Sequence, residues 1–262
     1  MSSTVNRTLV WSEEFEGSAL SQTTWTPDIG DGSSHGLIGW GNNELQYYTE
    51  ESMKVNGSLT ITAKREGRDS AHSCYYGPAL WTSGKIHTSQ KVGFKYGSLE
   101  VRAKMPFGIG TWPAIWMLGA SINHGTNWPF CGEIDLQEGV GSAPKTVRGT
   151  IHGPLYFGEQ GLTKTYENPV DLSEEFHVYG ISWREDQIDW TFDGEVYNSI
   201  NRADSELEGK EWPFNNEFYL LINQAIGGWF GGEVDPELNE AELVIDWVRF
   251  YNVDGIGELI RH

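Results

Sequence analysis

The chain reads as a single all-β domain made of two packed antiparallel sheets. Three observations carry that expectation. Short segments alternate apolar and polar residues with a period of two, turn dipeptides such as N-G at 56–57 and D-G at 193–194 punctuate them, and no window keeps a 3.6-residue apolar period over three turns. Composition agrees: 12 Trp and 32 Gly suit many strands joined by glycine turns around one sizeable core. No repeat, low-complexity tract or Pro/Ser linker divides residues 1–262, so one domain is expected.

In chain order, S-L-T-I-T-A-K (58–64) and G-S-L-E-V-R-A-K-M (97–105) are strands. In the second, Leu99, Val101 and Ala103 interleave with Glu100, Arg102 and Lys104, the pattern of a sheet with one buried face. H-V-Y-G-I-S-W (177–183) and Q-I-D-W-T-F-D-G-E-V-Y (187–197) repeat it. The runs F-Y-L-L-I-N-Q-A-I-G-G (218–228) and L-V-I-D-W-V-R-F-Y (243–251) are nearly continuously apolar and are expected to be the inner strands. S-E-E-F near 173 and S-E-L-E-G-K near 205 each suit a single turn of helix.

The net charge of −19 works against nucleic acid, anionic membrane and sulfated or uronic polysaccharide, and makes a neutral substrate the easier one to hold. The same charge also serves simply to solvate a surface. The opening M-S-S-T-V-N-R-T-L-V lacks the apolar core of a signal peptide, and no later run approaches a membrane span. Cys74 and Cys131 are too few for a disulfide framework or a zinc site, and a bridge between them is left open.

One stretch raises a question of parity. In G-E-I-D-L-Q-E-G-V-G (132–141), Glu133 and Asp135 share a strand face, whereas Glu138 is an odd number of residues from both. One extra residue, a β-bulge at Leu136 or Gln137, returns Glu138 to their face. The two glutamates then approach the roughly 5 to 5.5 Å expected of a retaining glycosidase. Crowding raises at least one pKa and so makes a proton donor, while Asp135 between them is placed to tune the nucleophile. On spacing alone, three acids on a wet strand fit equally well. Aromatic context favours a site: Trp112 and Trp116 in G-T-W-P-A-I-W-M-L-G, with Trp40, Tyr47 and Tyr48 among glycines and amides, suit the flat faces and hydroxyls of sugars. Trp112 follows a glycine turn, whereas Trp116 reads as a core residue as readily as a cleft one.

W-S-E-E-F-E-G, G-W-G-N-N-E-L-Q-Y-Y-T, Y-G-S-L-E-V-R-A-K-M-P, G-T-W-P-A-I-W-M-L-G, G-E-I-D-L-Q-E, G-T-I-H-G and D-W-V-R-F-Y occur in that order over about residues 9–252, leaving a short tail at 253–262. On these motifs the sequence resembles family 16 glycoside hydrolases of the laminarinase type, which are endo-β-1,3-glucanases. The resemblance implies a β-jelly-roll sandwich with an open concave cleft, retention by double displacement, Glu133 as nucleophile and Glu138 as general acid/base, with Asp135 between. Asn43, Lys85, Trp112, Trp116 and His152 match substrate-binding positions, and Trp229 fits a cleft wall. It also implies no catalytic cofactor and allows a structural calcium held by the Asp246 carboxylate and the carbonyls of Glu14 and Gly57, unless Asp246 merely caps the last strand. The implied partner is a β-glucan polysaccharide, with no nucleic acid or membrane, met by a monomer that is secreted or periplasmic, its leader absent from the chain as given. Mixed-linkage β-1,3-1,4-glucan is the alternative substrate, and a non-catalytic glucan-binding module the alternative class. Gln137 stands where the family usually has Met, and Lys85 where it usually has Arg; Gln137 allows the bulge to be held by a hydrogen bond, while Lys85 gives up a planar fork.

Overall fold

The computed structural model describes residues 6–262; residues 1–5, part of the segment on which the leader expectation rests, lie outside the described residues. Two sheets stack. In spatial order the ten-stranded sheet runs Glu195–Asn201, Gln187–Phe192, His177–Arg184, Gly97–Lys104, Glu240–Val253, Leu59–Arg65, Trp81–Ser83 and Gln46–Tyr48, with Arg7–Glu13 and Met53–Val55 pairing alongside. The nine-stranded sheet runs Leu162–Glu167, Thr146–His152, Glu133–Glu138, Thr111–Gly119, Phe218–Ile226, Val92–Lys95 and Glu258–Arg261, with Lys85–His87 and Thr26–Pro27 at its flank. Pairing is antiparallel throughout these sheets except between Gln46–Tyr48 and Trp81–Ser83, which run parallel.

The core lies between the sheets. Leu99, Val101, Ile181 and Val248 of one meet Ile115, Met117, Ile134 and Leu136 of the other, so the period-two apolar positions of both inner faces interdigitate. The D-G turn joins Gln187–Phe192 to Glu195–Asn201 with Asp193 and Gly194 both at positive φ, 49° and 87°, the geometry such hairpins need. Of the two candidate helical turns, Ser205–Leu207 forms a short 3₁₀ segment, and the S-E-E-F region stays a turn closed by the Glu174 N–H on the Asp171 carbonyl at 3.0 Å. Cys74 and Cys131 are both buried and both free, so the bridge left open by the sequence is not formed.

The two apolar runs part company. Phe218–Ile226 is buried at every position, as an inner strand should be. Glu240–Val253 is central in its sheet but wet on one face: Ala241, Leu243, Ile245, Val248 and Phe250 are buried, while Asp246, Trp247 and Arg249 are half-buried. The reason is a bulge. Ala103 pairs with Ile245 and Arg102 with Trp247, leaving Asp246 as the extra residue. The inserted residue flips the alternation, so a half-wet strand looks continuously apolar in sequence.

Candidate active site

The acid strand Glu133–Glu138 lies between Thr111–Gly119 and Thr146–His152. Against the first neighbour, Trp116 pairs with Asp135 and Ile115 with Gln137, so Leu136 is the extra residue of a bulge. Leu136 and Ile134 turn into the core. Glu138, beyond the bulge, returns to the side of Glu133 and Asp135, and the parity question is answered by the backbone.

Each glutamate is met by an indole. Trp112 Nε1 donates to Glu138 Oε1 at 2.9 Å, and Trp128 Nε1 donates to Glu133 Oε2 at 2.8 Å. His152, directly across from Glu133 in the ladder, brings Nε2 to 3.7 Å from Glu133 Oε1 and 3.4 Å from Asp135 Oδ2. Asp135 Oδ2 is buried and receives no N–H or hydroxyl donor among the described residues, while a hydrogen bond with Glu133 is among the contacts that act on the Asp135 carboxyl. Glu133, Asp135 and His152 also form a donor set within 4.8 Å of one another, the geometry in which a cation or a shared proton is held.

Burial raises all three acids. Glu133 is pushed up to about 8, by burial first and the Asp135 charge second, against the opposing effect of His152. Asp135 is pushed well above the carboxylate range by burial and then by the Glu138 charge. Glu138 is raised by burial, which the Trp112 hydrogen bond, His152 and Arg148 partly offset. A proton kept on Asp135 therefore removes the second-largest penalty on ionising Glu133. That is a tuning role by charge, beside the hydrogen bond between the two carboxyls.

The other expected site residues fall on or near this face. Trp112 is 8% exposed and Trp116 half-buried, its Nε1 donating to Asn223 Oδ1 at 2.8 Å, so the ring that read as core or cleft is fixed at the surface of the cleft-side sheet. Lys85 is buried, with Nζ 3.2 Å from Asp28 Oδ2, 3.9 Å from the centre of the Trp40 ring and 5.6 Å from that of Trp116. Trp229 is 76% exposed, and its N–H donates to the Asn42 carbonyl. Asn43 is exposed with a left-handed backbone, and among the described residues its side chain makes no hydrogen bond to the acids. Trp128 escaped the sequence reading; its signal was an indole five residues before Glu133 in T-N-W-P-F-C-G-E. Trp190 escaped as well. It reaches across the core from the other sheet to donate from Nε1 to the Asp135 carbonyl at 2.7 Å, and Gly149 makes room, since a Cβ there would lie 2.3 Å from its Cδ1.

The calcium set lies on the opposite sheet. Ladders place Ile245 across from Leu59 and Val248 across from Glu13, which brings the chain at Gly57 and Glu14 toward Asp246 at the middle of Glu240–Val253. Asp246 is the bulge residue and its Oδ2 already accepts from Arg102 Nη1 at 2.5 Å, a guanidinium where a dication would need an unshared charge. Oxygen donors suit a hard dication, and Arg102 competes with it for the Asp246 carboxylate.

The chain is 40% identical over 254 residues to a protein named beta-glucanase from Rhodothermus marinus, covering 93% of this chain and 84% of that one. It is 35% identical to Glucan endo-1,3-beta-glucosidase A1 from Niallia circulans, of whose length it spans 37%. It superposes on the structure titled endo-beta-1,3-glucanase from Pyrococcus furiosus with TM-score 0.89 at 42% identity, covering 94% of this chain and 95% of that one. It also superposes on the laminarinase catalytic domain from Thermotoga maritima MSB8 with TM-score 0.89 at 40% identity, covering 94% of this chain and 98% of that one, and the fold is a jelly roll. Residues 40–249 match the family described as Glycosyl hydrolases family 16, and the chain belongs to that family.

Proposed function

We propose that the protein hydrolyses β-1,3-glucan internally, with retention at the anomeric carbon. The observation that supports it most is the bulged acid strand, which sets Glu133, Asp135 and Glu138 on one face with an indole N–H on each glutamate. In the first step the ionised Glu133 attacks C1 while Glu138 gives its proton to the leaving glycosidic oxygen, breaking the C1–O bond and leaving a glycosyl ester on Glu133. In the second, Glu138 takes a proton from water, whose oxygen attacks C1 and frees Glu133. No cofactor enters this chemistry. Trp112, Trp116, His152 and Lys85 line or adjoin the same face and support the sugar-binding reading, with Trp229 and Asn43 further along the cleft-side loops.

Cleavage of laminarin, followed by NMR in the first minutes, should release β-anomeric reducing ends; an α product would end the retaining reading. Glu138→Ala should slow hydrolysis by about 10² or more and be partly rescued by azide, giving a β-glycosyl azide. Activity on a mixed-linkage glucan but not on laminarin would transfer the enzyme to the alternative substrate, and binding without turnover would make it a module. A polysaccharide does not cross a membrane intact, so a secreted or periplasmic monomer is the setting proposed; no helix among the described residues is long and apolar enough to cross a membrane.

A structural calcium at the Asp246 carboxylate and the Glu14 and Gly57 carbonyls is proposed on the ladder positions alone, with Arg102 as its competitor. Excess chelator should then lower the melting temperature with little change in kcat. An unchanged melting curve leaves Arg102 as the sole partner of Asp246.

A further inference from the structure

The mechanism leaves one buried polar side chain of the acid strand without a role. Gln137 is 0% exposed, and its amide makes contacts that belong, in an unbroken sheet, to a backbone. The ladder between the acid strand and Thr146–His152 pairs Glu133 with His152, Ile134 with Ile151 and Asp135 with Thr150, and stops there. Continued in register, it would set the backbone of Gln137 opposite Arg148. The bulge prevents this, because the extra residue carries the chain out of step. The side chain takes over instead: Oε1 accepts the Arg148 N–H at 2.8 Å, and Nε2 points to the Thr146 carbonyl at 3.4 Å.

The other side of the bulge is held separately. Trp190 donates to the Asp135 carbonyl across the core. The bulge is thus pinned before its extra residue by an indole and after it by an amide, and Glu138 is the next residue along. A buried N–H left without an acceptor costs about 1–3 kcal/mol. Loss of the amide therefore gives the strand reason to shift at the residue beside Glu138. Arg148, whose N–H the amide receives, also acts on Glu138 through its guanidinium, which stacks 4.7 Å from the Phe230 ring, itself edge-on to Trp112.

We propose that Gln137 is a positioning residue for Glu138: its side-chain amide replaces the ladder contacts that the bulge removes and so aims the carboxyl beyond it at the glycosidic oxygen. This rests on the reading of Glu138 as the general acid/base. A thioether, usual here in the family, fills space but accepts no comparable hydrogen bond, so this chain holds the bulge by different means.

The test uses leaving groups. A misaimed acid slows departure of a poor leaving group and spares one that leaves without a proton. Hydrolysis of a phenyl and a 2,4-dinitrophenyl β-1,3-oligoglucoside should be compared in the parent, Gln137→Leu and Gln137→Glu. For Gln137→Leu, kcat/KM on the phenyl substrate, which reports the step in which the leaving group departs, should fall about tenfold or more, a part of the roughly 10²–10⁴ that proton transfer contributes, while kcat/KM on the dinitrophenyl substrate is little affected. Gln137→Glu keeps an acceptor for the Arg148 N–H and should recover most of the loss. Equal losses of kcat/KM on both substrates, or a lower melting temperature with unaltered kinetics, would overturn the proposal. If Gln137→Leu does not fold, Gln137→Ala, which also removes the acceptor of the Arg148 N–H, carries the same comparison. Glu138→Ala measured in parallel separates the two readings: if it too shows no dependence on the leaving group, the assignment of the acid is at fault.

Discussion

The Glu133 carboxyl shows how much free energy a glycosidase stores in a single side chain. Its folded pKa of about 8 stands above the ordinary 4.5, so the folded protein holds that proton more tightly than the unfolded chain does. Its contribution to stability is intact below about 4.5 and is lost as pH rises through about 8. Glu133→Gln removes the titration, and calorimetry should find the variant more stable than the parent by a margin that widens between about pH 5 and pH 9. A margin that stays constant would mean that Glu133 ionises without penalty. The three acids were legible in the sequence because strand parity and a bulge are rules that a hexapeptide can carry. Trp128 was not, since it reaches Glu133 through a loop and loops obey no period. Gln137 was legible only as a departure, and its partners on Thr146–His152 became visible once the register was known.

Among the elements, Phe218–Ile226 does most to hold the site in place. It pairs with Thr111–Gly119 over nine positions and with Lys85–His87 on its other side, linking the strand of Trp112 and Trp116 to that of Lys85. Ile222 sits at its middle, 0% exposed, opposite Ile115 and Ile86. Ile222→Ala should lower stability by about 2–5 kcal/mol, read as a reduced urea midpoint at constant slope. A loss well under 1 kcal/mol would show that the neighbouring strands collapse into the space. The strand itself was legible as an unbroken apolar run. Glu240–Val253 gave the same signal for another reason, the bulge at Asp246, and only its pairing tells the two apart.

Across the whole molecule, a net charge of −19 repels itself, and the recorded ion pairs such as Arg7–Glu100 and Arg249–Glu14 are partly exposed. Screening should therefore help: the melting temperature should rise from low salt to about 0.5 M NaCl, where the Debye length falls below 10 Å. A fall would show that attraction within the pairs outweighs the general repulsion. Two stacked sheets were legible from alternation and turns, but the strand order was not, because Gly97–Lys104 lies beside Glu240–Val253 through contacts that no local pattern records. The thickness of the sandwich carries a consequence of its own. Gly149 in one sheet leaves the space that Trp190 of the other fills on its way to the Asp135 carbonyl. A side chain at 149 and the indole at 190 cannot share that space, so a Gly149→Ala change would displace Trp190 and loosen the tie between the ten-stranded sheet and the strand of acids.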